Sequence, residues 1–200
     1  MKNLPVDEAF NDLRVEIAEH ESNSSLKTQG FEPLFLASPR SKIVIVGQAP
    51  GIQAQTSRIV WDDASGIRLM SWLGVEESQF RDTGLFAHIP MDFYYPGKGK
   101  SGDLPPRKEF AELWHKRLLD LMPNVELFIL IGKYSQNYYL PKHGYKNLTE
   151  TVRNYEDFYP KYFPVVHPSP LNFRWFAKNE WFENEVVSVL QKRIACIIGI

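Results

Sequence analysis

The sequence predicts an α/β fold, a three-layer α/β/α arrangement around a mostly parallel four-stranded central sheet. Short apolar runs at about residues 42–47, 84–90, 125–131 and 163–166 read as strands. Helical periodicity fills the stretches between them, which is βαβ order and calls for parallel strands covered by helices on both faces. No long linker and no internal repeat interrupts the 200 residues, so a single domain is expected over 1–200, with 1–40 supplying an N-terminal helix and a connecting loop.

The elements follow in order. Val6, Phe10, Leu13 and Ile17 recur at helical spacing and predict an amphipathic helix over about 6–20, before a loop that runs through Pro39. Ser41-Lys42-Ile43-Val44-Ile45-Val46 is a β-branched strand ending in Gly47-Gln48-Ala49-Pro50-Gly51. A helix over about 64–73 stops at Gly74, and a second strand covers about 84–90. Pro105-Pro106 opens a helix over about 106–121, with Leu113, Arg117, Leu118 and Leu121 on its half-buried face and Pro123 closing it. A third strand, about 125–131, runs into a short helix after Gly132; the fourth, about 163–166, precedes a last helix over about 178–193. The apolar end Ile194-Ala195-Cys196-Ile197-Ile198-Gly199-Ile200 is expected to pack on the domain or on a partner.

Composition narrows the function classes. With 44% hydrophobic and 14% aromatic residues the chain can fill a sizeable core. No apolar run approaches the roughly 20 residues of a membrane helix, and no basic-then-apolar leader follows Met1, so a soluble cytoplasmic protein without membrane contact, acting as a monomer, is expected. The single cysteine, Cys196, can form neither an internal disulfide nor a four-thiolate cradle, and the five histidines show no paired ligand spacing; no metal and no cofactor is expected. Net charge is −1, so any polyanion must be held locally. Lys98, Lys100, Arg107 and Lys108 flank one glycine-rich loop, and Lys133, Lys142, His143 and Lys146 follow the third strand. Loops sharing one edge of the sheet would make these a basic groove for a phosphate backbone; otherwise they are solvated charges.

Two loops carry the chemistry. His167-Pro168-Ser169-Pro170-Leu171-Asn172 follows the apolar run 163–166, and its two prolines leave the side chains little freedom. Taken alone, it suits a site or a βα turn with a hydrogen-bonded histidine equally. In the other loop, Gly47 and Gly51 allow positive φ and close approach of a ligand, while the Gln48 amide can donate and accept toward a planar, amide-like ligand. Both loops stand at carboxyl ends of strands, where open α/β sheets collect ligands.

Together the two loops resemble the uracil-DNA glycosylase superfamily, with its G-Q/E-x-P motif after the first strand and H-P-S-P-L motif after the last. Gly47-Gln48-Ala49-Pro50-Gly51 is most similar to the iron–sulfur group, as are Thr56-Ser57-Arg58, Ala64-Ser65-Gly66-Ile67-Arg68-Leu69 and Leu127-Phe128-Ile129-Leu130-Ile131-Gly132. The likeness spans about residues 41–192, but the cluster cysteines are missing.

The resemblance implies a DNA glycosylase that removes uracil or a related deaminated base, with duplex or single-stranded DNA as partner. Breaking an N-glycosidic bond leaves positive charge on the sugar and negative charge on the base. A fixed donor must therefore meet the departing pyrimidine carbonyl. His167 takes this role, with Gln48 and the backbone N–H groups about Gln48 and Ala49 assisting. Gly47, Ala49, Pro50, Gly51 and Ser169 line the base pocket, Trp61 or Phe93 stacks on the base, and Leu171 wedges into the duplex beside Asn172, Lys98 and Lys100. Either aromatic could equally be core.

Two expected groups are missing. Ala49 stands where well-known members carry an aspartate, leaving water to be oriented by Gln48 or a backbone carbonyl, with Asp62 or Asp63 in reserve, although these two read more readily as loop or helix-cap acids. Pro90-Met91-Asp92-Phe93 stands where an asparagine commonly reads uracil. A protein of the same fold that binds nucleic acid or a free base without cleaving it is the alternative. An unrelated α/β enzyme with an anion site at Gly47 is a third reading, but it lacks a phosphate-loop lysine and the last glycine of a dinucleotide motif.

Overall fold

A computed structural model describes residues 8–100 and 102–200; the predicted helical position Val6 lies outside them. The described elements are α1 (Glu8–Glu19), α2 (Ser24–Thr28), β1 (Ile43–Val46), α3 (Ile52–Ser57), α4 (Ala64–Leu73), α5 (Glu77–Phe80), β2 (Phe86–His88), α6 (Phe110–Asp120), β3 (Leu127–Ile131), α7 (Gly132–Tyr139), α8 (Leu148–Arg153), β4 (Tyr162–Val165), α9 (Phe173–Lys178) and α10 (Val187–Ile198).

The four strands form one parallel sheet in the order β2-β1-β3-β4. Apart from His88 at the end of β2, each strand is largely apolar because the sheet is buried on both faces. Ile43, Ile45, Phe86, Ile129, Ile131, Phe163 and Val165 pack with α4 and α10, whose Leu69, Leu73, Leu190 and Ile194 are buried there. The alternate residues Val44, Val46, Ala87, Phe128 and Leu130 pack with Phe10, Leu13 and Ile17 of α1 and Trp114 and Leu118 of α6. Pro164, which cannot donate to a ladder, is tolerated because β4 is an edge. The opposite edge is closed by Leu36, which exchanges both backbone bonds with His88 at 3.1 and 2.7 Å.

Several boundaries differ from expectation. The helix predicted to open at Pro105-Pro106 begins at Phe110, because the Arg107 N–H and guanidinium are drawn onto Asp92. Its buried face carries Phe110, Ala111, Trp114, His115 and Leu118, whereas Leu113 is exposed. The last predicted helix, over about 178–193, is a π-helical turn, Phe182–Val186, that leads into α10, and a further short helix, α9, precedes it. That helix absorbs the apolar end, burying Ile194 and Ile197, and Lys42 Nζ donates to the Ile197 carbonyl at 3.0 Å. Among the described residues no helix is long and apolar enough to cross a membrane.

From β1 the chain crosses first to β2 on one side; β3 then lies on the other. The crevice where strand order reverses therefore opens between the carboxyl ends of β1 and β3, the ligand position of open α/β sheets.

Candidate active site

A cleft of about 650 Å³ occupies that crevice, lined from all four strand ends: Gly47 to Gly51 after β1, Pro90, Lys98 and Asp103 after β2, Gly132 to Tyr134 after β3, and His167, Ser169, Leu171 and Asn172 after β4. This is within the usual range for small-molecule sites. The two sequence motifs are thus brought onto one cavity.

The turn after β4 locks itself. Ser169 N–H donates to His167 Nδ1 at 3.2 Å, Ser169 Oγ accepts from Leu171 N–H at 3.2 Å, and Asn172 Nδ2 donates to the His167 carbonyl at 2.8 Å. Asn172 N–H closes the turn on the Ser169 carbonyl at 3.0 Å. Ser169 and Asn172 therefore line the cleft while their side chains hold the turn. Leu171 is left 83% exposed on a rigid base.

His167 is held neutral. Burial lowers its pKa, and the charges of Asp63 and Asp103 offset part of that fall. Since Nδ1 already accepts a hydrogen bond, the neutral ring carries its proton on Nε2. The imidazole is thereby a single oriented donor, 6.1 Å from the Trp61 indole between ring centres.

Trp61 is positioned by glycines. It adopts φ 56°, rare for a bulky residue, and its carbonyl oxygen would lie 1.9 Å from a Cβ at Gly66. Its indole would lie 3.0 Å from a Cβ at Gly47. Gly47 is therefore required for space and not for positive φ, which neither it nor Gly51 adopts. Gly51 meets no crowding at all; it precedes α3 with an extended backbone.

Gln48 lines the cleft with its amide nitrogen committed. Its Nε2 donates to the Leu104 carbonyl at 3.0 Å, tying the β1 loop to a glycine hairpin whose described residues are 97–100 and 102–104. The Gly47 and Gln48 carbonyls accept from Met91 and Asp92 N–H at 2.9 and 3.1 Å, zipping the β1 and β2 loops together. Ala49 and Pro50 line the cleft.

The β2 loop corrects other expectations. Phe93 is fully buried between Phe35, Phe110 and His115, so it is core and no wall for a base. Met91 is buried too. Asp92, 1% exposed at its side chain, is gripped by the Arg107 fork at 2.7 Å to both oxygens, and Arg107 also donates to Asn23 Oδ1 at 2.6 Å. Neither Asp92 nor Arg107 is free for a ligand, so Arg107 drops out of the predicted basic groove. Lys98 lines the cleft and pairs with Asp103 at 3.3 Å, and Lys133 lines it from the β3 end. Lys100 is exposed on the hairpin and does not line the cleft.

Other cleft residues escaped the sequence reading. His88, at the carboxyl end of β2, bonds the Phe80 carbonyl through Nε2 at 2.8 Å, and burial pushes its pKa to about 4. Among the described residues its Nδ1 has no partner. A histidine closing a parallel strand was the available signal. Asp63, weighed as a reserve, does both jobs: it caps α4 by accepting from Gly66 N–H at 2.8 Å and lines the cleft. Asp103, Tyr134 and Trp175 complete the set, the last fixed by its Nε1 bond to Thr149 Oγ1 at 2.8 Å. Nothing local in the sequence marks these three.

A family model described as the uracil DNA glycosylase superfamily matches residues 35–191, a span that includes every strand and both motif loops.

Proposed function

The chain belongs to the uracil-DNA glycosylase superfamily, and from that premise we propose that it hydrolyses the N-glycosidic bond of uracil or a related deaminated base in DNA. Membership supports glycosylase action on DNA in base-excision repair; the substrate and the residue roles are our reading. The observation that carries it is the His167 ring, whose Nδ1 is occupied by Ser169 N–H and whose Nε2–H is left to meet an anionic base carbonyl in the shared cleft.

In this reading the extruded base stacks on Trp61, and His167 stabilises negative charge as the C1′–N bond breaks. A neutral donor suits the task, because an imidazolium would oppose the positive sugar. Leu171 fills the hole in the duplex, and Lys98 and Lys133 receive phosphates at the rim. Gln48 fixes the hairpin that closes the cleft.

The test is incubation with single-stranded and duplex oligonucleotides holding uracil, hypoxanthine or xanthine, followed by alkaline cleavage of abasic sites. Strand scission dependent on His167 is expected for at least one base. Binding without cleavage is the second reading, favoured by Ala49 and by the capture of Asp92 by Arg107. Tight binding to a modified oligonucleotide with no scission under any condition would select it.

A further inference from the structure

Water attack on an oxocarbenium-like sugar is helped by a carboxylate that stabilises positive charge and accepts a proton, and position 49 offers only a methyl group. The cleft nevertheless holds two carboxylates, Asp63 and Asp103. One oxygen of Asp63 is committed to the N-terminus of α4. Among the described residues the Asp103 side chain, 34% exposed, pairs with the exposed Lys98 ammonium at 3.3 Å, and it sits in a hairpin with its own backbone bonds, Gly99 N–H to the Gly102 carbonyl at 2.8 Å and Leu104 N–H to the Gly97 carbonyl at 2.9 Å. Gly97 and Gly102 adopt φ of 101° and 93°, as this tight turn requires. The Gln48 bond to Leu104, the residue after Asp103, then pins the hairpin to the base-pocket loop.

We propose that Asp103 is a catalytic carboxylate of this chain, delivered from the glycine hairpin in place of one at position 49. The inference rests on the glycosylase reading. In the step it serves, the C1′–N bond breaks with its electron pair on the base. A water oxygen then bonds C1′ while one of its protons passes to Asp103, which later releases it to solvent; the base anion is protonated by solvent. Burial lowers the His167 pKa, and the charges of Asp63, the larger effect, and of Asp103 both reach the ring and hold it up in part, as expected of groups that face one cleft.

Asp103→Asn keeps the size and an acceptor for Lys98 while removing the charge. Single-turnover cleavage should fall roughly 10²-fold, the low end of general-base contributions, with no loss of DNA affinity. Independently of activity, the His167 imidazole should titrate at lower pH in Asp103→Asn than in wild type by NMR. Asp63→Asn, which retains a capping side chain, is the competing assignment. Undiminished cleavage by Asp103→Asn, a larger loss in Asp63→Asn, or an unmoved His167 titration would each overturn the role of Asp103 while leaving an active wild type as a glycosylase. A wild type that cleaves no base overturns both.

Discussion

Leu171 gives the sharpest separation between holding DNA and cutting it. Its side chain is 83% exposed on a turn fixed by four hydrogen bonds, so truncation removes almost nothing that folding buries. Insertion into a duplex would bury it. Full burial of a leucine is worth about 1.5–3 kcal/mol; with 83% of the area available and the alanine methyl retained, Leu171→Ala should lose about 1–2 kcal/mol. That converts to roughly 5- to 30-fold in the rate on duplex substrate at subsaturating enzyme. Single strands have no hole to fill, so their cleavage should change little. The assay is a pair of single-turnover series, duplex and single-stranded, for wild type and variant, with urea unfolding as a control that should show no change. Equal losses on the two substrates would refute the wedge, as would full activity on duplex.

Three further outcomes follow from the same contacts. His167→Ala removes a donor used mainly in the transition state, so single-turnover cleavage should drop roughly 10²- to 10³-fold with DNA affinity nearly intact; unchanged cleavage on every accepted substrate would defeat the assignment. Arg107→Ala strands the Asp92 carboxylate, 1% exposed, and should cost about 3 kcal/mol or more in urea unfolding; a loss within error would mean that the ion pair holds nothing. Burial depresses the His88 and His115 pKa values to about 4, so as pH falls through 6.5 the unfolded chain takes up protons that the folded one refuses. Stability present above pH 6.5 should be lost on the way toward pH 4, about 2 kcal/mol per ring between pH 7 and 5; NMR showing either imidazole charged at pH 6 in the folded protein would contradict this.

The sequence by itself determined the parallel sheet, since continuous apolar strands in βαβ order leave no other way to bury both faces. It also determined the two loops of the cleft, because Gly47 to Gly51 and His167 to Asn172 each follow such a strand directly. Local pattern could not tell which aromatic is wall and which is core. Trp61 and Phe93 have the same claim as residues, and only packing against Gly47 and Gly66 on one side, and Phe35 and Phe110 on the other, separates them. Charges behaved alike: Arg107 and Lys98 read as one basic cluster, but Asp92 waits 15 residues away to bury the first. The helix start displaced from Pro105-Pro106 to Phe110 is a consequence of that pairing. Asp63 and Asp103 reach the His167 cleft from different crossovers, so their meeting is set by the closing of the sheet and not by any spacing along the chain. Periodicity and turn chemistry act within a few residues, whereas burial, ion pairing and the sharing of one cavity are decided between segments that only the tertiary fold brings together.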